Sequence, residues 1–230
     1  MLFVPRGFEL LKTDVRELQA LIESINGIVD KNPCLEKKLG LKRKFLGVLG
    51  EAIGLVGIYE KFGEGYGYCW HGGMKKDFDL ELTGRDGPIY FQIKTSADEN
   101  YAFRAPRVTV ENAEEVVQKL KSGRIDERES ALAEINELVD RRIDDVAKND
   151  GRWYWLFVHI KKDAYDFYMV DKEKLKEIVK QHYRDYVSRD KEPDSNYGIS
   201  RTNNVWVPTL TQKHDWKLLD KHKIRCLSNK

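Results

Sequence analysis

Apolar residues Leu10, Leu11, Val15, Leu18, Leu21, Ile22, Ile25 and Ile28 recur at spacings of three and four. That period predicts an amphipathic helix from Glu9 to Val29, ended by the segment Asp30 to Pro33. A second helix is expected from Pro33 or Leu35 to about Phe62, basic and exposed at first. From Phe45 onward it is apolar on most sides, so its second half should be buried. Gly63, Gly65, Gly67, Gly72 and Gly73 then break the helical pattern and read as turn. Two strands follow, Phe78 to Leu82 and Ile89 to Thr95, joined by the turn-forming segment TGRDGP. In that hairpin Ile89, Phe91 and Ile93 take one face and Tyr90, Gln92 and Lys94 the other.

Residues 111–149 read as one or two charged helices, interrupted near Ser122 and Gly123. RWYWLFVHI has the composition of a buried strand, and DFYMV of a second one after a turn at Lys161 to Ala164. Asp171 is placed to cap a helix running to about Tyr186. VWVP is a short strand near the end. The resulting order, α-α-β-β-α-β-β-α, predicts an α/β (mixed α+β) fold around one central sheet flanked by helices. No linker divides it, so residues 1–230 are expected to form a single domain.

Composition narrows the class. With 41% hydrophobic and 34% charged residues, a chain of 230 is too apolar for disorder and too charged for a membrane protein. The start MLFVPRGFELLK is broken by Pro5 and Arg6 before a signal core can form, which points to the cytoplasm. Cys34, Cys69 and Cys226 include no Cys-x-x-Cys pair, so they are expected to be reduced thiols. Forty basic residues against 38 acidic ones reveal no partner by their sum. Their segregation says more: cations cluster at Lys37 to Lys44 and Lys213 to Arg225, while residues 126–150 are acidic.

Two places carry candidate chemistry. Glu51 is a carboxylate inside an apolar helix, where an unpaired charge is costly, and Gly47, Gly50 and Gly54 strip side chains from the face around it. The alternative is close helix-on-sheet packing with Glu51 meeting a basic partner. In the hairpin, Asp79 and Glu81 share a face of the first strand and Gln92 and Lys94 a face of the second, so pairing can converge all four. Such a cluster suits a hard divalent cation beside an activated water. An exposed sheet face with a cross-strand ion pair is the plainer alternative.

A helix glutamate, an aspartate at a strand start, and Gln-x-Lys on the next strand 13 residues later together resemble the PD-(D/E)XK nuclease superfamily. FQIKTS is similar to the corresponding strands of restriction-type endonucleases and archaeal Holliday-junction resolvases. The likeness covers residues 45–96. It implies a restriction-endonuclease-like core at about 35–96 and 150–186, with an N-terminal helix at 8–30, a helical insertion at 110–149 and a C-terminal recognition segment at 187–230. It further implies that Asp79, the Gln92 side-chain carbonyl and the Ile93 backbone carbonyl hold Mg²⁺, with Mn²⁺ able to substitute. Lys94 would orient or deprotonate water, and Glu51 would bind a second metal or a metal-bound water. Gln92 stands where an acid is usual, and Asp77 competes with Asp79.

The activity so implied is that of a type II restriction enzyme, a homodimer cutting double-stranded DNA at a specific sequence. Base readers are then expected in two loops, at Arg104 and Arg107 and at Arg201, Asn203 and Asn204, since arginine pairs with guanine and asparagine with adenine. Lys42, Arg43, Lys44 and Lys213 are expected on phosphates. A structure-selective resolvase or repair nuclease, and a non-catalytic DNA-binding module, are the alternatives. Cys69 with His71 lacks a second ligand pair and reads as turn and core. His214 and Asp215 lack a visible nucleophile.

Overall fold

The computed structural model describes residues 2–3, 8–32, 34, 40–63, 66–71, 78–84, 87–97, 102–104, 113–147, 152–161, 165–187 and 204–206. Its elements run β1 (Leu2–Phe3), α1 (Phe8–Lys31), α2 (Leu41–Phe62), β2 (Gly67–Trp70), β3 (Leu80–Gly84), β4 (Gly87–Ser96), β5 (Ala102–Arg104), α3 (Ala113–Lys121), α4 (Ile125–Val146), β6 (Trp153–Ile160), β7 (Tyr165–Asp171), α5 (Lys172–Val187) and β8 (Asn204–Trp206). The chain divides into two compact units: Met1–Tyr101 with Arg152–Val170 and Gln212–Lys230, and Ala102–Gly151 with Asp171–Thr211.

The first unit is a mixed sheet with helices on it. Strand order is β1-β2-β3-β4-β6-β7, five strands of four residues or more and the two-residue β1. From β1 to β4 neighbours run antiparallel, and β4 to β6 is parallel. The hairpin alternates as its sequence requires: Ile89, Phe91 and Ile93 are buried in the core with Leu80, Leu82, Tyr154 and Leu156. The helix face of that core comes from Leu49, Ile53, Leu55 and Ile58 of α2, joined by Ile22 of α1. Glycines set how close α2 lies. A Cβ at Gly50 would overlap the Thr95 side chain, at Gly54 would meet Ile93 Cδ1 at 2.9 Å, and at Gly57 would meet the Phe167 ring at 2.8 Å. Gly47, expected in the same stripe, has nothing within 4 Å of its would-be Cβ.

The structure corrects several expected elements, and Arg104 and Asn204, expected in loops, lie on the paired strands β5 and β8. Gly67 opens β2 instead of a turn, because Tyr68 and Trp70 pair with Leu82 and Leu80. Cys69, expected in that turn, is therefore a half-buried strand residue. The second helix begins at Leu41, after Gly40 at φ 58°, a left-handed conformation that glycine adopts without strain.

The second unit contains β5, α3, α4, α5 and β8. Ala131, Ile135, Val139 and Ile143 line the buried stripe of α4, with Val116 and Leu120 of α3 and Leu175 and Val179 of α5 buried as well. Asp171 caps α5 as expected, its Oδ1 accepting the Lys174 backbone N–H at 2.9 Å. Ion pairs join α4 to α5: Lys180 to Asp140 at 2.6 Å and Lys176 to Asp144 at 2.8 Å. β5 and β8 form a separate two-stranded antiparallel sheet.

Candidate active site

Close packing at Gly50 sets Glu51 beside the Lys94–Thr95 end of β4. The carboxylate is half-buried, and its Oε2 accepts the Trp70 indole N–H at 2.9 Å. Burial raises its pKa above the ordinary glutamate range; the Trp70 hydrogen bond opposes that rise, the Asp79 charge adds to it, and Lys94 opposes it. Two of the four hairpin residues that the sequence singles out, Asp79 and Lys94, therefore act electrostatically on Glu51.

Asp79 lies just ahead of β3 and is held from both sides, by β4 and by His71 just past β2. Its backbone N–H donates to the Phe91 carbonyl at 2.9 Å, and its carbonyl accepts the His71 N–H at 2.9 Å. The buried carboxylate, 6% exposed, accepts the Ile93 backbone N–H at 2.7 Å and the Gln92 Nε2 amide at 3.1 Å, both through Oδ2. A strand residue turns its N–H and C=O toward the same neighbour, so the Ile93 carbonyl faces the Asp79 edge of β4. Gln92 is also buried, and offers Asp79 its amide nitrogen. Its carbonyl oxygen comes to that side only when the amide turns over. Lys94 is half-buried, two residues along the same face.

Glu81 does not join this group. The register sets it opposite Tyr90 and Cys69 rather than opposite Gln92. Its carboxylate instead meets the Thr83 hydroxyl at 3.2 Å and lies 3.7 Å from His71 Nε2. His71 is a buried residue stacked edge-on against Phe78, with the Cys69 sulfur 3.9 Å from its Nδ1. Tyr90 likewise leaves the polar set, packing on Phe78 and Trp153 with ring centroids 4.6 and 5.5 Å away. The residue that sequence reasoning missed is Trp70. Its signal was a Trp in a Tyr-Cys-Trp alternation, obscured by the glycines around it.

Among the expected DNA contacts, Lys42 is paired with Asp30, while Arg43 and Lys44 are exposed on the first turn of α2. Arg104 and Asn204 lie on β5 and β8, opposite each other in register. Asp77, Arg107, Arg201, Asn203, Lys213, His214 and Asp215 lie outside the described residues. Among the described residues no three His, Cys, Asp or Glu side chains form a metal-holding group. No described helix is long and apolar enough to cross a membrane. Compared with protein-family models, curated proteins and solved structures, the chain matches none of them.

Proposed function

We propose that this chain is a Mg²⁺-dependent endonuclease of the PD-(D/E)XK type, with a restriction-endonuclease-like core and double-stranded DNA as substrate. The observation that carries the reading is the coupling of Glu51, Asp79 and Lys94 around one end of β4. The Glu51 carboxyl, its proton affinity raised by burial and further by the Asp79 charge, sits near one lysine, a costly arrangement for packing alone. The donor set fits a hard divalent cation: the Asp79 carboxylate, the Ile93 carbonyl and the Glu51 carboxylate are all oxygen ligands. Gln92 would add a fourth by turning its amide, which releases Asp79 Oδ2 from one of its two donors. Bound there, the cation supplies Lewis acidity toward a phosphodiester oxygen. Lys94 orients water for in-line attack and holds or releases its proton at Nζ. Trp70 keeps the Glu51 carboxylate aimed at the site.

A further support comes from α2. Its first turn holds no acid but three cations, Lys42, Arg43 and Lys44, on the positive end of the helix dipole. Lys42 is paired with Asp30, whereas exposed Arg43 and Lys44 are unfavourable there by about 0.3–1 kcal/mol each unless an anion such as a DNA phosphate joins them. A type II restriction enzyme acting as a homodimer is the form of this activity we favour. The non-catalytic module is the second reading, favoured by one feature: the Gln92 and Ile93 bonds to the Asp79 carboxylate come from its own hairpin.

Digestion of phage-length duplex DNA with and without Mg²⁺, beside Asp79→Asn and Lys94→Ala, separates these readings. Discrete bands that require metal and disappear in both variants are expected. No cutting of duplex or four-way junctions by the unaltered chain would leave the binding module.

A further inference from the structure

Helix α1 carries more apolar surface than the rest of the chain covers. Ile22 and Val29 are buried, whereas Leu21 and Ile28 are 57% and 55% exposed. Leu18 and Ile25 are half-buried, so Leu18, Leu21, Ile25 and Ile28 form one seam at spacings of three, four and three. That is the heptad period by which two helices pack knobs into holes. The bonds that tie α1 to its unit leave from positions on the other side of the helix: Gln19 Oε1 accepts the Tyr165 hydroxyl at 2.8 Å, and Asp30 pairs with Lys42. Buried Ile22 and Val29 border the seam on its inner edge. Its outer edge is Glu17, Ser24 and Lys31, seven residues apart and all exposed.

We propose that this seam packs against the same seam of a second copy of the chain, the two α1 helices running antiparallel about a twofold axis at the level of Glu23 and Ser24. Charge selects both the partner and the direction. In an antiparallel pair Leu21 layers against the partner's Ile25 and Leu18 against the partner's Ile28, and the twofold repeats each layer. The same register sets outer edge against outer edge. Glu17 then faces the partner's Lys31 at both ends, and Ser24 meets the partner's Ser24 at the centre, so opposite charges meet twice and no like pair arises. A parallel pair would instead turn Glu17 toward the partner's Ile22, a residue its own core already buries. Arg16, Glu23 and Asp30 fall on the face turned away from the seam, where they stay hydrated. The helix is already ordered on its own sheet, so association does not carry the entropy cost of forming it. The inference deepens the homodimeric nuclease reading and rests on it for the use of the dimer, two sites acting on two strands; the seam itself stands on α1 alone.

Sedimentation equilibrium of the full chain is the test. The unaltered chain should dimerise at micromolar concentration, and Leu21→Glu and Ile28→Glu should each raise the dimer dissociation constant by about 30-fold or more. Glu17→Lys and Lys31→Glu should each weaken the dimer by about threefold or more, because like charges then meet at both ends. Mixing these two charge variants should restore association as a heterodimer, since a wholly basic edge then faces a wholly acidic one; only the antiparallel register allows this. If a seam variant loses the circular dichroism of the folded chain, the charge exchange decides alone. A chain that stays monomeric, a dimer indifferent to all four substitutions, or charge variants that mixing does not rescue would overturn the α1 pairing. Duplex cleavage is followed in parallel. Failure of the seam leaves the cleavage reading standing, while an intact, seam-dependent dimer that cuts no DNA removes that reading and upholds the seam.

Discussion

Asp144 and Glu51 are both helix carboxyl groups, and their surroundings push them in opposite directions. On α4, a hydrogen bond from Lys176 holds Asp144 below the ordinary aspartate range, with Lys172 helping. On α2, burial holds Glu51 above the ordinary glutamate range, and nearby Asp79 adds to it. The helical unit satisfies its charges with one another, Asp144 from an exposed position where such a pair adds little. The sheet unit keeps the half-buried Glu51 carboxyl near the buried Asp79 carboxyl. A fold has no need of that second arrangement, which is why Glu51 and Asp79 are read as function and Asp144 as surface.

The comparison can be broken most decisively at the site. Asp79→Asn and Lys94→Ala should each reduce DNA cleavage by about 100-fold or more, the size expected for removing an acid–base or positioning group. Their circular dichroism spectra should remain those of the folded chain. Next in size is the packing that brings Glu51 to β4. Gly50→Ala forces a methyl group into Thr95 and should cost about 1–3 kcal/mol in denaturant unfolding. Gly47→Ala, with open space around it, should stabilise by about 0.5–1 kcal/mol. Equal effects of the two would mean that α2 does not approach β4 as described.

A smaller effect concerns pH. A carboxyl that binds its proton more tightly folded than unfolded loses stability as pH rises from its unfolded pKa through its folded one, and the loss is complete above both. For Glu51 that window opens near 4.5, the ordinary glutamate value, and extends upward. Glu51→Gln, whose carbonyl can still accept from Trp70, should therefore be more stable than the unaltered chain at neutral pH, with the gap closing toward acid. Parallel stability curves would show that Glu51 is not strained. The smallest effect is at Asp144. Its folded pKa is depressed, so its contribution is present above its unfolded value of 3.8 and fades as pH falls through the folded one. Asp144→Ala should cost less than about 1 kcal/mol in thermal melts and leave cleavage unchanged.

What the sequence disclosed follows from the range of each signal. Period and capping are local, so α1, the buried half of α2, the break at Ser122, strand β6 and the Asp171 cap were all legible. Strand β2 was not, because four residues among glycines have no periodicity to read, and only pairing with β3 makes them a strand. The same distinction holds in the site. Asp79, Gln92 and Lys94 lie close in sequence, and cross-strand geometry alone relates them. Trp70 reaches Glu51 from another element, and Glu81 turns to His71 through a register that composition does not specify. The meeting of Arg104 with Asn204 is the longest-range case, invisible before the two strands pair.

The most direct test of the central claim, that Glu51 and Asp79 act as one site, is a double-mutant cycle in Mg²⁺-dependent DNA cleavage with Glu51→Gln, Asp79→Asn and their combination. Residues acting as a unit are strongly non-additive, so the double variant should cleave about as slowly as the worse single one. Losses that multiply would contradict the account, and so would full activity in either single variant.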